Sequence, residues 1–427
     1  MVDITRRMQS GFPLWERVGN RKSSFAQKCA ATMIISMADP HVDRTSGSGL
    51  ILAIESSCDE TAAAVVQQGN HVLSNVIASQ VRLHAAFGGV VPELASREHL
   101  RNIVPVVASA IEQAGIPMSA LDAVAVTEGP GLAGALLVGI LYARGLALAL
   151  EKPLIAVNHL EGHIHAVLMQ RAKQATGPQL ALVVSGGHTH LYLAEETTAG
   201  WGYRNVGRTV DDAAGEAYDK VAKLLGLAYP GGPWIDALAP YGNPRAEAFH
   251  FGPIQSRKEG TRDVSRNFDF SFSGIKTAIS RYVRDHAMQP AVERRATLIA
   301  AHPGMSAEEA RHLCDARTLD LIASFQFAVV GVLMRQTFAA AEAFGAHGIL
   351  ISGGVAANRE LRTRFQQEGE RRGLPVAFPA VALSTDNAAM IAAAAWPKFL
   401  AGSFAADDLS AAPQLRLGRP IAPAAIG

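Results

Sequence analysis

The sequence predicts a two-part α/β fold, and three observations lead there. From Gly49 onward, strand-like and helix-like stretches alternate along the chain. A strand, a short polar turn and a second strand at "LILAIESSCDETAAAVV" from Leu50 reappear as "LALVVSGGHTHLYLA" from Leu180, about 130 residues later. Such a recurrence points to two related halves. Small-residue turns also follow strands at Ser56 to Thr61, Ser185 to Thr189 and Ser352 to Asn358. Glycine lets a ligand approach the backbone closely, and successive N–H groups form a nest for an anion. Three such turns in one α/β chain indicate a nucleotide-type site.

The first 48 residues stand apart. Arg6, Arg7, Arg17, Arg21, Lys22 and Lys28 outnumber Asp3 and Glu16 before Met33, and the long apolar core of a secretory signal is missing. Two readings compete, an organelle transit peptide and sequence upstream of a start at Met33 or Met37, so residues 1–48 are kept out of the fold argument.

Residues 49–175 form the first expected domain. "LILAIESS" and "TAAAVVQQ" make its opening hairpin and "HVLSNVIASQ" a third strand. In "SREHLRNIVPVVASAIEQAG" the apolar positions recur at helical spacing up to Gly115. "LDAVAVTEGPG" reads as a strand entering a glycine-rich turn. The apolar run from Leu132 to Leu150 approaches membrane-spanning length, but Tyr142 and Arg144 lie in its middle. An arginine there is costly in lipid, so a buried helix of a soluble protein is expected. "PLIAV" is the next strand, "NHLEGHIHA" follows it, and "QRAKQATGPQ" marks a boundary.

The second expected domain, 176–400, repeats the hairpin and continues with a helix at "DDAAGEAYDKVAKLLGL", the loop "AYPGGPWID", a charged loop at "SRKEGTRDVSR" and "FDFSFSGIKTAI". Residues 283–318 read as a helical insertion in which Ser306 and Glu309 form a capping box that opens a helix. The strand "GILISGG", a helix whose run from Arg359 to Arg372 is a solvated face, and "LSTDNAAMIAAAAW" complete it, with 401–427 as a tail.

The 427 residues are 49% hydrophobic and 18% charged, enough apolar material for more than one core. That excludes a disordered segment or a single small module. Net charge is +1, so RNA or an anionic membrane would have to be met by a local patch. Cys29, Cys58 and Cys314 are odd in number and lack CxxC spacing, which speaks against a disulfide framework or zinc ribbon and fits a reducing cytosol.

His159 and His163 are four residues apart, so on a helix they share a side and can grip one metal ion; the alternative is a surface or capping pair. Glu161 stands third in H-L-E-G-H, whereas zinc proteases place glutamate directly after the first histidine, so a protease reading loses its general base. Asp386 in "STDNAA" is a candidate third ligand or a helix N-terminal charge. Glu216 and Lys220 have ordinary ion-pair spacing, while Asp219 and Asp236 bracket "YPGGP", placed to bond ribose hydroxyls or an amine.

Taken in order, "IESSCDET", "HAAFGGVVPELASREH", "TEGPGLAGALLVG", "NHLEGHIHA", "VSGGHTHL", "DDAAGEAYDKVAKLLGL", "YPGGP", "FSFSGIKTA", "ISGGVAANRELR" and "STDNAAMIA" resemble the universal tRNA threonylcarbamoyladenosine transferase family from about Leu50 to Ala395. The resemblance does not reach the first 48 residues, and the insertion from Ala291 to Thr318 looks longer than the family's usual one, which leaves a lid or partner-contact role open.

The resemblance implies two RNase H-like domains of the actin, Hsp70 and sugar-kinase (ASKHA) type with a nucleotide cleft between them. It implies transfer of a threonylcarbamoyl group from threonylcarbamoyl-AMP to N6 of adenine 37 in tRNAs reading codons that begin with A. By the same carry-over, His159, His163 and Asp386 bind one divalent metal ion, iron or zinc. Leu182, Val183, Val184, Ser185, Gly186, Gly187, His188, Asp219, Gly232, Asp236 and Asn358 hold the adenylate. Asp59 and Glu60 are the acidic candidates for the proton lost from N6 or for a water or cation on the phosphate, and Lys276 is placed to offset phosphate charge or to sit exposed. Arg257, Lys258, Arg262 and Arg266 are the candidate contacts to tRNA. Implied partners are a TsaB-like paralogue, a TsaE-like ATPase and an enzyme supplying threonylcarbamoyl-AMP, in the cytoplasm and without a membrane. A metalloprotease, a small-molecule kinase of the same fold and an ATP-binding scaffold are the competing readings.

Overall fold

The computed structural model describes residues 49–171, 177–197, 200–249 and 268–420. The first sheet contains β1 (Leu50–Glu55), β2 (Glu60–Gln67), β3 (His71–Ser79), β4 (Ala123–Gly129) and β5 (Leu154–Asn158), in spatial order β3-β2-β1-β4-β5. β1 to β3 run antiparallel in sequence, and β4 and β5 continue parallel to β1. The second sheet contains β6 (Gln179–Val184), β7 (Thr189–Thr197), β8 (Gly200–Arg208), β9 (Gly348–Ser352), β10 (Val376–Ala377) and β11 (Arg419–Pro420), in order β10-β9-β6-β7-β8-β11. Here β6 to β8 are antiparallel and β9 and β10 parallel to β6. Reversed, β8-β7-β6-β9-β10 repeats the first sheet in order and direction. The two hairpins legible in the sequence therefore open two copies of one unit, and β11 is an addition to the second.

Eleven helices lie among the described residues: α1 (Val81–Ala85), α2 (Pro92–Ala114), α3 (Ala133–Leu150), α4 (His159–Leu168), α5 (Ala214–Leu224), α6 (Gly231–Leu238), α7 (Ser273–Asp285), α8 (Gln289–Ala301), α9 (Ala316–Ala343), α10 (Arg359–Arg372) and α11 (Ala388–Leu400). β1 and β6 are buried along their whole lengths, the reason both read as nearly unbroken apolar runs. On one face of the first sheet Leu52 and Ile54 pack with Val106 and Ala110 of α2 and Leu136 and Ile140 of α3. On the other face Ile51, Ala53 and Ala64 meet the alanine-rich side of α11. A cut between residues 175 and 176 therefore separates α11 from the sheet on which it packs.

In the second sheet Leu180, Leu182 and Val184 share a core with α5, α6, α7, α9 and α10, while Ala181 and Val183 point to the opposite side. That opposite side receives Leu160, Ile164 and Val167 of α4, whereas Ala166 of the same helix enters the core of the first sheet. α4 is thus held between the two sheets, and every residue from His159 to Val167 is buried. A helix in that place carrying three histidines and a glutamate must give each polar group a partner, since a buried unpaired polar group costs about 1–3 kcal/mol.

The segment after α11 is more than a tail. Ala405 N–H donates to Leu154 O and Ala412 N–H to Glu128 O, both on the first sheet, and Leu417 enters the α4 core before β11 joins β8. Arg144, in the middle of apolar α3, donates to the carbonyls of Asp407 and Leu409, which explains a cation in that helix. The Ser306–Glu309 box forms as expected, with Ser306 N–H donating to Glu309 and Glu309 N–H to Ser306 Oγ. It opens only a short 3-10 turn, Glu309–Leu313; the long helix starts at Ala316, capped by Asp315. The fully buried Arg295 ties this insertion down through the carbonyls of Leu225 and Leu313.

Candidate functional site

β5 ends at Asn158, whose side chain accepts the N–H of Leu160 and so starts α4. That cap sets His159 and His163 one turn apart on the same side, with ring centroids 4.7 Å apart and planes at 78°. Asp386 comes from the turn before α11, where Asn387 caps the helix through Met390 N–H. Its Oδ1 lies 3.2 Å from His163 Nε2 and 3.6 Å from His159 Nε2. One donor atom from each of the three residues fits within a 4.8 Å span.

The far nitrogen of His159, Nδ1, is 3.0 Å from Glu55 Oε2 and 3.2 Å from Ser57 Oγ. His163 is different. Its ring is fully buried and neither nitrogen makes a hydrogen bond; the 3.2 Å approach to Asp386 lacks hydrogen-bond geometry. Two imidazole nitrogens and a carboxylate oxygen converging without linear hydrogen bonds fit a divalent cation, and an N,N,O donor set suits zinc or iron.

The charges agree with that fit. Burial works to lower the His159 pKa, but Glu55 and Asp386 outweigh it and raise it to about 9. Burial lowers His163 despite Asp386, and Asp386, although buried, is held below the usual carboxylate range by His159 and His163. A cation at this place competes with a proton for the site. His188, whose ring centre is 6.1 Å from that of His159, is pushed down to about 3 by burial and by the neighbouring histidines, so it is a neutral imidazole.

Beside this cluster, β6 runs into the 185–188 turn. Leu182, Val183 and Val184 point their side chains into the cores, so only their backbone is available to a ligand. Ser185 and His188 close the turn on each other, Ser185 N–H to His188 O and His188 N–H to Ser185 Oγ. From below, Gly215 of α5 presses so near that a Cβ would sit 2.6 Å from Ser185 O. Above, a Cβ on Gly186 or Gly187 would meet nothing within 4 Å. The turn is fixed on one side and open on the other.

Asp219 accepts the N–H of Gly231 at 2.7 Å. Burial, partly offset by that bond, raises its pKa to about 6, and Asp59 adds to the rise. Tyr229 is raised by burial and by both Asp59 and Asp219, so groups from the two halves face one space. Gly232 is open on its Cβ side. Asp236 and Asn358 are engaged elsewhere. Asp236 is held by Arg359 through Nε at 2.9 Å and the backbone N–H at 3.1 Å; Asn358 caps α10 through Leu361 N–H and donates to Gln326 Oε1 at 2.7 Å.

Glu60 accepts from Ser79 Oγ, and burial together with the neighbouring Asp59 raises its pKa. Lys276 is exposed in the first turn of α7. Lys220 pairs with Glu216 at 2.8 Å and also with Asp212. Arg257, Lys258, Arg262 and Arg266 lie outside the described residues. The sequence reading passed over Glu55, Thr127 and Lys398. The signal for Glu55 was a carboxylate closing an otherwise apolar buried strand.

Comparison with known proteins agrees with the geometry. The family model for tRNA N6-adenosine threonylcarbamoyltransferase, TsaD, matches residues 71–393. The enzyme so described from Koribacter versatilis (strain Ellin345) is 59% identical over 376 residues, 86% of this chain and 99% of that protein. Its counterpart from Moorella thermoacetica (strain ATCC 39073 / JCM 9320) is 50% identical over 368 residues, 86% and 97%. Full-length HypF, in a crystal structure of its phosphate- and nucleotide-bound form, matches with TM-score 0.51 at 13% identity, over 84% of this chain and 47% of HypF, a likeness of fold alone. The chain belongs to the tRNA N6-adenosine threonylcarbamoyltransferase family and forms threonylcarbamoyladenosine by transferring a threonylcarbamoyl group to tRNA.

Proposed function

We propose that the space between the two halves binds threonylcarbamoyl-AMP beside one divalent cation, iron or zinc, held by His159, His163 and Asp386. The observation that carries this is the convergence of the three donors with both nitrogens of His163 unpaired. When bound, the cation supplies Lewis acidity, polarising an oxygen of the adenylate and stabilising charge as AMP departs. The chain's own groups orient the reactants. The open side of Gly186 and Gly187 admits a phosphate to the backbone between Ser185 and His188, Asp219 and Gly232 border the ribose, and neutral His188 offers one donor and one acceptor. Asp236 and Asn358 fix the turn at 354–359 that closes the other edge. N6 of the adenine bonds to the carbamoyl carbon, the bond from that carbon to the AMP phosphate oxygen breaks, and Asp59 takes the N6 proton.

The competing protease reading is weakened by Glu161, which is buried and paired with Lys398 Nζ at 2.9 Å and so unavailable as a base. Work with partners, a TsaB-like paralogue and a TsaE-like ATPase, is supported by the exposed apolar stripes of α2 (Leu100, Val104) and α3 (Leu137, Leu141, Leu148). Apolar α3 and α9 both supply buried faces to the cores, as core helices of a globular domain do. The test is reconstitution with unmodified tRNA, an enzyme generating threonylcarbamoyl-AMP and the partner proteins, followed by mass spectrometry of nucleosides. Threonylcarbamoyladenosine that appears with wild type and vanishes with His159→Ala supports the site; equal product from both removes it.

A further inference from the structure

We infer that Glu55 is the positioning residue of the metal centre, fixing the tautomer and orientation of His159 so that Nε2 is presented to the cation; the inference rests on the metal reading above. Glu55 is fully buried at the last position of β1, on a different element from all three ligands. Its oxygens are surrounded by donors. Oε1 accepts the N–H of Ser57, and Oε2 accepts Thr127 Oγ1–H at 2.7 Å and faces His159 Nδ1 at 3.0 Å. A carboxylate offers only acceptors and an imidazole nitrogen facing it must carry the proton. With Nδ1–H held toward Glu55, Nε2, the nitrogen that faces Asp386, is the one whose proton a cation displaces and whose lone pair it then takes. Such a carboxylate–histidine–metal relay orients the ligand and raises its basicity, and its loss typically lowers metal affinity by about 10–100-fold. His163 has no such partner at Nδ1, so the centre combines one locked imidazole with one that only the cation orients.

Glutamine is nearly isosteric with glutamate, yet cannot reproduce the arrangement. One end of its amide is a donor, and either end of the Glu55 carboxylate already meets donors, Ser57 N–H on one oxygen and Thr127 and His159 on the other. Glu55→Gln therefore either sets its amide N–H against Ser57 N–H or, turned the other way, makes His159 Nδ1 the acceptor and moves its proton to Nε2, in neither case emptying any volume. Thr127→Val removes one bond to Oε2 without touching His159.

The experiment is titration of Co2+ and of Zn2+ into metal-free full-length wild type, Glu55→Gln, Thr127→Val and His159→Ala, using a competing chromophoric chelator, with thermal midpoints of the metal-free proteins recorded alongside. Expected are about 10–100-fold weaker binding by Glu55→Gln, a smaller loss for Thr127→Val, and binding abolished in His159→Ala. Affinity of Glu55→Gln within twofold of wild type overturns the positioning role while leaving the metal site in place. Should Glu55→Gln fail to fold, undiminished affinity in Thr127→Val decides against the role. Wild type that binds neither ion overturns both the role and the metal reading.

Discussion

His163 Nε2 stands 3.2 Å from Asp386 Oδ1, and still neither nitrogen of this fully buried ring makes a hydrogen bond. Such a pair, with His159 beside it, is a place where a divalent cation could be held. His163→Ala is expected to reduce bound metal to background and to lower the rate of threonylcarbamoyladenosine formation by on the order of 100-fold or more, the scale of several kcal/mol of Lewis-acid stabilisation. Elemental analysis of the purified variant beside a single-turnover assay checks both. Full activity in a metal-free variant would remove the cation from the reaction.

Glycines near the site separate into two kinds. Gly353 has φ +94°, and a Cβ there would lie 2.3 Å from Val184 O. Gly187 has free space. Gly353→Ala is expected to cost about 3 kcal/mol or more, combining backbone strain with a backbone clash. Gly187→Ala should leave stability within about 0.5 kcal/mol of wild type and raise the KM for threonylcarbamoyl-AMP roughly tenfold, since the methyl occupies the ligand's side. Urea denaturation and steady-state kinetics distinguish them; a Gly187→Ala enzyme with unchanged KM would show that the adenylate does not use this turn.

Much of this was legible in the chain. The duplicated sheet could be read from two hairpins because β1 and β6, central in their sheets, carry uninterrupted apolar runs. β8 could not, because "GWGYRNVGR" is half-buried, interrupted by glycine and lacks alternation. The His159–His163 spacing put both rings on one side of α4, but nothing local indicated that α4 would be enclosed by both sheets. Glu55 went unseen since its partners, Thr127 and His159, lie 72 and 104 residues away. The segment after residue 400 looked like a tail because its anchoring runs through backbone bonds to Leu154 and Glu128, to which side-chain patterns are blind.

Asp219 gives the fold a pH dependence of known sign. Its pKa is about 6 in the folded protein against 3.8 ordinarily, with burial as the main cause. Between these values the folded state binds more protons than the unfolded state, so the stability this group contributes at low pH is lost as pH rises toward 6. The loss is roughly 3 kcal/mol for a shift of this size. Asp219→Asn, which cannot ionise, should therefore gain on wild type by about that amount between pH 4 and pH 7, as measured by denaturant titration of both proteins. A constant difference across that range would place Asp219 in a better solvated environment than the structure gives it.

Lys398 reaches from α11 to α4, its Nζ 2.9 Å from Glu161 Oε2 and 3.1 Å from Ala156 O. This contact fastens the helix that follows Asp386 to the helix that bears His159 and His163. Glu161 is buried, and burial raises its pKa even with Lys398 beside it. Removing the lysine alone leaves a carboxylate that must be protonated or desolvated, whereas removing both charges leaves neither. Lys398→Met is accordingly expected to destabilise by about 2–4 kcal/mol, somewhat below the full cost of breaking a buried pair because Lys398 is partly exposed. Glu161→Gln combined with Lys398→Met should recover most of that loss. A double-mutant cycle by urea denaturation reads the coupling, and metal titration of the same four proteins shows whether the ligand geometry follows it. Coupling below about 0.5 kcal/mol would mean that the apolar packing of α11 on the first sheet holds Asp386 in place without the ion pair.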